Sequence, residues 1–595
     1  MYYESVYINA WNATTSKAGA SGKEKGMSNG GPKAPKDPTK KRPSIFVLYD
    51  KTVEAYKMPN GGCASPLFLD NGRLANYAKT IGRVEEEEIL TLLNSSEGFH
   101  KLVHSVGVSV ACEDTTQEAE FVLHMYGESN PYESGTKHVT KVVTNGSEVE
   151  IPLSDIDWYG DDTCVGQFLF RFAKDWEVAT ISVRLYLNDG YTAPEFVPDA
   201  PVDFESEAYK EMIAKSFVSL GNNVRLKRAI DKAKAGEDVT VAFIGGSITE
   251  GAGATPSQKT CYSKVAYDRF CARFGNGENV HYTKAGVGGT SSELGMIRYE
   301  RDILGRGDAP DVVVVEFAVN DEGDETKGDC YETLVRKILF SDNAPAVILL
   351  FSVFENDWNL QERLSPVGVR YDLPMVSVRD AVVEQFYLPA DGGRVISKNR
   401  FFYDIYHPTS DGHRIMADSL DYLFAQADAV PAGVEPDYQA LETVFKPEFV
   451  NVRLLDRKDG FAGAEISCGG FTETDKDLHY VEMNLDNYRT PVLPNNWMAT
   501  EESGNEPFVI KIKSPYLLVI TKDSGSPEFG KADIYVDGEY ALTADPLAVG
   551  WTHSTAQIAY RGKENTVHTV EIRKNPETKD KKFTILGFGY EAPEA

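Results

Sequence analysis

The chain of 595 residues is several times the size of one domain, so about three or four compact units are expected. Its 42% hydrophobic and 25% charged residues are globular proportions that exclude collagen-like, coiled-coil and wholly disordered chains. With 61 Lys and Arg against 90 Asp and Glu, the formal net charge of -29 disfavours phosphate backbones and anionic lipid as partners and suits a neutral or weakly polar ligand.

The opening segment, MYYESVYINAWNATTSK, has no basic stretch followed by an apolar one, and no apolar run reaches the ~20 residues that span a bilayer. A cytoplasmic protein is the expectation; a leader upstream of this sequence would instead make it extracellular. Up to residue 204, short alternating or β-branched runs such as SVYINAW, SIFVLYD, AEFVLHMYG, GQFLFRFA and TISVRLYL are separated by Gly, Asn, Asp and Pro. This is the pattern of an all-β sandwich over 1–204. Residues 15–44 interrupt it: rich in Gly, Pro and Lys, they read as a mobile basic loop between two strands.

Near residue 205 the period changes. EAYKEMIAKSFVSL and NNVRLKRAIDKAKAGE have helical spacing, the second closed by Gly236. Apolar strands follow (VTVAFI, NVHYTK, DVVVVEFAV, AVILLFSVF and PMVSV), with helical stretches between most of them. That alternation predicts a doubly wound α/β domain over 205–434, its parallel sheet covered on both faces and its last helix SDGHRIMADSLDYLFAQA. Over 435–595, EPFVIKIK, YLLVITK, ADIYVDGEYAL, HTVEIRK and KFTILGFGYE read as strands of a second, jelly-roll-like sandwich, with Asp537-Gly538 as a hairpin turn. The seven cysteines (Cys63, Cys112, Cys164, Cys261, Cys271, Cys330, Cys468) have no C-x-x-C spacing and are expected to be reduced and mostly buried.

The residues able to do chemistry collect at the ends of the middle strands. VAFIGGSITEGAG puts Ser247 on the turn between a buried strand and the next helix, at the edge where open α/β sheets place their sites. Taken alone, that serine suits a helix cap equally well. No G-x-x-x-x-G-K-S/T or complete G-x-G-x-x-G is present, and Thr249 breaks the G-x-S-x-G elbow. KAGVGGTSSELG sets Gly286, Gly288 and Gly289 on the second turn, where the backbone can bend sharply and aim an N–H outward. VVVVEFAVNDEG ends the third strand at Asn320 and Asp321; the Asn320 amide can donate to an oxyanion or cap a helix. In FYDIYHPTSDGHRIMADSL, Asp404 and His407 stand three apart. A carboxylate there can fix the imidazole tautomer and leave its other nitrogen for a serine proton. His413 reads as packing or capping.

In this order the four blocks resemble the SGNH (GDSL-type) hydrolase family. Ser247, Gly289, Asn320 and His407 match its name-giving residues and Asp404 its acid, over about 205–434. The resemblance implies a flavodoxin-like doubly wound sheet, a nucleophilic Ser247, and a general base His407 oriented by Asp404. It also implies an oxyanion hole built from the Ser247 and Gly289 N–H groups and the Asn320 amide. Two positions depart from the family: Gly246 stands where G-D-S has its aspartate, removing a carboxylate beside the nucleophile, and Ala318 replaces the glycine two before the asparagine.

FSVFENDWNLQERLSPVGVRYDLPMVSV reads as a loop at the same edge. Asp357, Trp358, Asn359 and Gln361, with Gly246, are its candidate sugar contacts, although Trp358 suits packing as well. Arg298 fits a helix salt bridge better than a substrate contact. Unclustered histidines and cysteines disfavour a metal site, and no cofactor is expected. An SGNH domain flanked by sandwiches resembles carbohydrate acetylesterases, so the expected reaction is hydrolysis of an acetyl ester on an oligo- or polysaccharide such as xylan or mannan. The charge disfavours polyanionic pectin. The alternatives are a lipase or thioesterase using the same triad, against which no amphipathic lid for a long acyl chain is visible, and a glycan-binding protein with a degenerate hydrolase domain. Homo-oligomerisation is left open.

Overall fold

A computed structural model describes residues 42–57, 62–129, 134–306, 309–458, 463–481 and 490–592. The run SVYINAW and nearly all of the basic loop 15–44 lie outside the described residues.

The middle of the chain is organised by its apolar strands. Val239–Gly245, Val280–Gly286, Val312–Glu316, Ala346–Phe351 and Met375–Ser377 run parallel, side by side in the order second, first, third, fourth, fifth. That is flavodoxin-like winding. The first, third and fourth of these strands are apolar almost throughout because both faces are covered: Ala242, Ile244, Val313 and Val315 enter one core cluster, and Val241, Phe243, Val312 and Val314 the other. A sixth strand, Phe217–Ser219, pairs antiparallel with Met375–Ser377. The helical spacing of EAYKEMIAKSFVSL therefore extends only over Glu207–Ala214: the Ser216 hydroxyl bonds back to the Ile213 carbonyl and closes the helix, and the residues beyond pair with the sheet. The segment read as a loop after the fourth strand contains a helix, Gln361–Arg370. Leu364, Val367 and Gly368 form its buried face, a helical period that Pro366 and the polar residues around it obscure in the sequence.

Register brings the strand ends together, with Gly245 opposite Gly286 on one side and Glu316 on the other. Arg298 pins this edge from beneath. Fully buried on helix Ser292–Asp302, it pairs with Asp302 at 3.0 Å and donates to the carbonyls of Gly245 and Ala285, each at 2.9 Å. It is the helix salt bridge that its spacing favours, with two backbone anchors added.

On the N-terminal side, Ser44–Glu54, Val178–Leu187, Val103–Cys112 and Val149–Pro152 form one antiparallel sheet; Tyr56–Lys57, Cys63–Phe68, Asp162–Phe172, Glu118–Gly127 and Lys137–Val143 form another. Val106, Val183 and Ile181 of the first share one core with Phe121, Leu123 and Phe168 of the second. Three short helices, Arg73–Thr80, Glu87–Leu92 and Ser96–Leu102, stand where the sequence reading expects only strands. In the first of them the buried Leu74, Tyr77 and Ala78 recur at three and four positions, a period too short-lived to stand out beside the strands.

On the C-terminal side two further antiparallel sheets share a core containing Trp497, Phe508, Ile534 and Ile585. Asp537 and Gly538 both take positive φ, 53 and 84, as the hairpin turn requires. One of these sheets also packs against the middle domain, where Leu518, Ile520 and Leu586 join Met296, Ile297 and Tyr331 in one cluster. All seven cysteines are free, and no helix among the described residues is long and apolar enough to cross a membrane.

Candidate active site

Ser247 begins a short helix, Ser247–Glu250, directly after the first parallel strand. Its Oγ lies 2.9 Å from Nε2 of His407, whose Nδ1 lies 2.9 and 3.0 Å from the two carboxylate oxygens of Asp404. Asp404 Oδ1 also accepts the backbone N–H groups of Tyr406 (2.8 Å) and His407 (2.7 Å), so a tight local turn orients the acid toward the imidazole. A carboxylate on Nδ1 keeps the proton there and presents Nε2 as acceptor to the serine hydroxyl. His407 is 1% exposed and Asp404 7%, which removes competing water from the pair.

Gly289 and Asn320 arrive from the second and third strands. Gly289 has φ +68, and a methyl built on it would meet the Trp551 ring at 2.9 Å, so only glycine fits both the conformation and the space. A methyl on Gly246 would meet Oδ1 and Nδ2 of Asn320 at 2.5 and 2.7 Å; the amide thus lies flat against the Gly246 backbone. The structure brings together Ser247, Gly289, Asn320, Asp404 and His407, drawn from four separated segments.

Three residues that the sequence reading missed come from the C-terminal side. A carbon built on Gly288 would lie 2.9 Å from Oε2 of Glu250, 3.6 Å from Nε2 of His479 and 3.8 Å from Cβ of Ser247, so that imidazole borders the same turn as the serine. Trp551 contacts Gly289, and the His553 ring lies 4.8 Å from the Trp551 ring, its Nδ1 bonded to Asp523 at 2.8 Å. Trp551 Nε1 and His553 Nε2 are buried without a hydrogen-bond partner among the described residues. Burial, then the nearby His553 and Arg298, holds His479 well below the usual histidine range, so it is neutral at pH 7. The sequence signal was a Trp-x-His in a loop more than 250 residues from Gly289, with no spacing to connect the two.

The other candidate contacts are occupied by the protein itself. Gln361 uses both ends of its amide, one on Asp380 at 3.0 Å and one on Ser377 at 2.5 Å. Asp357 pairs with Lys398 at 3.0 Å and accepts from the Tyr387 hydroxyl. Asn359 bonds the Ser352 carbonyl at 2.8 Å and Arg379 at 2.9 Å. Trp358 stacks on Phe354 and packs against both cores of the middle domain. His413 is a buried pin, accepting the Tyr262 N–H at 3.1 Å and bonding the Ala252 carbonyl at 3.0 Å. Glu293, Asp324 and Cys330 place potential metal ligands within 4.8 Å of one another, but Asp324 already accepts Thr326 and Gly328 N–H groups at 2.7 Å.

Fold and site together define a doubly wound hydrolase with a serine, histidine and acid at the carboxyl edge of its sheet. Residues 243–415 match the model of the GDSL-like lipase/acylhydrolase family. The solved structure of a two-domain esterase active on acetylated mannans is similar to this chain at 27% identity and a TM-score of 0.56, the match covering 64% of this chain and 99% of that one. The same kind of esterase co-crystallized with mannopentaose matches at 26% identity and a TM-score of 0.55, covering 64% and 98%. No curated protein sequence matches this chain.

Two measurements test the site. Restoring the family's aspartate at position 246 should displace the Asn320 amide, because the space for Cβ is already filled. Covalent labelling of Ser247 by a fluorophosphonate is expected to slow at least about tenfold in Gly246→Asp; an unchanged or faster rate would show that the amide is free to move.

The second concerns Glu316, fully buried at the end of the third strand, with hydrogen bonds from Ser352 and, at 3.2 Å, from Thr249. Burial pushes its carboxyl up from 4.5 to about 7 against those hydrogen bonds. Between the two values the folded protein holds a proton that the unfolded chain has lost, so stability falls as pH rises through that window. Glu316→Gln should lose on the order of 3 kcal/mol less stability than wild type across it in urea titrations. Parallel curves would sink the assignment.

Proposed function

We propose that the protein is a serine esterase that removes acetyl groups from an oligo- or polysaccharide, with Ser247, His407 and Asp404 as its triad. The observation that carries this reading is the line of hydrogen bonds from Asp404 through His407 to Ser247, ending beside Gly289 and Asn320. In the first half-reaction Ser247 Oγ attacks the acetyl carbonyl carbon while His407 Nε2 takes its proton. Asp404 holds the Nδ1 proton and stabilises the imidazolium. The Ser247 and Gly289 N–H groups and the Asn320 amide receive the oxyanion, one such donor contributing about 3 kcal/mol to catalysis. The imidazolium then returns its proton to the departing sugar oxygen. Water, deprotonated by the same histidine, cleaves the acyl-serine and releases acetate.

The carbohydrate part is supported by the likeness to an esterase active on acetylated mannans. The Trp551 ring lies against Gly289, beside the proposed oxyanion donors. We read the paired antiparallel sheets on either side as sandwich domains, with divisions near residues 204 and 434.

The test is acetate release from acetylated manno- and xylo-oligosaccharides. Ser247→Ala should lose at least about a thousandfold in kcat; undiminished activity would discard the triad. With 4-nitrophenyl esters, acetate is expected to be preferred over octanoate by at least about tenfold. The opposite order would favour the lipase alternative.

A further inference from the structure

The N-terminal strand Ser44–Glu54 is not confined to its own sheet. Its pairing is irregular between Leu48 and Lys51, and Asp50 takes φ 51, a local bulge of the kind that re-aims a side chain. Beyond the bulge, residue after residue reaches the hydrolase domain. Lys51 Nζ donates to the Phe402 carbonyl at 2.5 Å and the Asn399 carbonyl at 3.3 Å. The Thr52 carbonyl accepts from Thr255 at 3.3 Å, and Glu54 accepts the Ser257 N–H at 3.0 Å. Asp50 lies 3.8 Å from Arg400.

The Thr52 and Glu54 contacts hold the segment Thr255–Ser257, and those of Lys51 and Asp50 hold the approach to the acid–histidine loop. Phe402 stands two residues before Asp404. Tyr403, between them, is 6% exposed and belongs to the N-terminal core rather than to either core of the hydrolase domain. Its N–H closes the loop on the His407 carbonyl at 2.8 Å. The Arg73 guanidinium, also N-terminal, lies 5.8 Å from the centre of the Tyr406 ring. The backbone carrying Asp404 and His407 is therefore clamped between two units. Lys51 is 4% exposed and lines a small cavity with Asp404, Tyr77 and Glu355. Burial pushes its ammonium down to about 7, and Asp404 is the charge that most opposes that shift.

We infer that the N-terminal unit is a working part of the hydrolase and that Lys51 is a positioning residue, fixing the Phe402–His407 backbone so that Asp404 and His407 meet Ser247. The inference rests on the esterase reading. Lys51 touches neither substrate nor reacting atoms in it. Its leverage is geometric: a displacement of about 1 Å in a catalytic group costs on the order of a hundredfold in rate, and only one residue separates the anchored Phe402 carbonyl from Asp404.

Lys51→Met and Lys51→Arg, made in the full chain, decide the matter, with Ser247→Ala as reference. In Lys51→Met, kcat on 4-nitrophenyl acetate should fall at least about tenfold while KM stays within about twofold, and fluorophosphonate labelling of Ser247 should slow in parallel. Lys51→Arg, which keeps the charge and the donors, should recover most of both rates. A folded Lys51→Met with wild-type kcat and labelling, or with a change in KM alone, would overturn the positioning role. Should that variant not fold, Lys51→Gln carries the same reading, and failure of both to fold would assign Lys51 to stability and overturn the inference. A wild type no more active than Ser247→Ala would instead remove the esterase reading itself, and Lys51's role with it.

Discussion

The hydrogen bond between Ser247 and His407 joins residues 160 positions apart, and the rest of the site is arranged around it. A single hydrogen bond contributes only about 1 kcal/mol, too little to hold two chain segments in place. The segments must be held independently, and each is. The serine turn is fixed from beneath by Arg298 on the Gly245 carbonyl and from the side by the close packing of Gly245 against Thr249. The histidine loop is fixed by its own turn, by the Thr409 cap of helix Ser410–Ala429, and by His413 on the Ala252 carbonyl. Gly253 completes the fit: at φ +87 it passes so close to Pro408 that a methyl would lie 2.2 Å from the carbonyl oxygen.

The hydrolase domain leaves two sides of this site for other units to cover. The C-terminal unit supplies Trp551, His553 and His479 against the second turn, and packs a sheet onto the helices that follow the second and third strands. The N-terminal unit covers the back of the acid–histidine loop. The apolar surface between hydrolase and C-terminal unit is continuous enough to make one cluster, with Lys337 bonding across it to the Val452 carbonyl at 2.7 Å. Extensive apolar contact of this kind opposes relative motion of the two units. Residues about 250 apart in sequence can therefore meet at one glycine.

What was legible in the sequence was whatever obeys a local rule. Strands buried on both faces write continuous apolar runs, and the turns at their ends set out the blocks that carry Ser247, Gly289 and Asn320, while Asp404 and His407 stand out by their spacing of three. Asp537-Gly538 and the Gly236 helix end follow the same logic. What was not legible depends on contact between distant elements. Nothing local distinguishes Trp551, whose partner is Gly289, from any other loop tryptophan. Lys51 looks like a surface lysine of an edge segment until the bulge turns it inward. Asp357, Trp358 and Gln361 have the composition of a sugar platform, yet a helix beginning at Gln361 and its neighbours claim their polar atoms. The short helices between Phe68 and Val103 escaped because six to eight residues hold too few periods to separate helix from strand.

The two motif departures also find their reason in packing. Gly246 in place of the family's aspartate is not a mere deletion of charge, since the volume a side chain would need is filled by the Asn320 amide. Thr249, which breaks the nucleophile elbow of a different hydrolase fold, bonds the Tyr262 hydroxyl at 2.8 Å and reaches Glu316 at 3.2 Å. Glu316 in turn takes a hydrogen bond from Ser352 after the fourth strand. A buried network thus ties the serine helix to the ends of the third and fourth strands. Fully satisfied polar networks rigidify because every alternative position leaves a group unpaired in a low-dielectric interior.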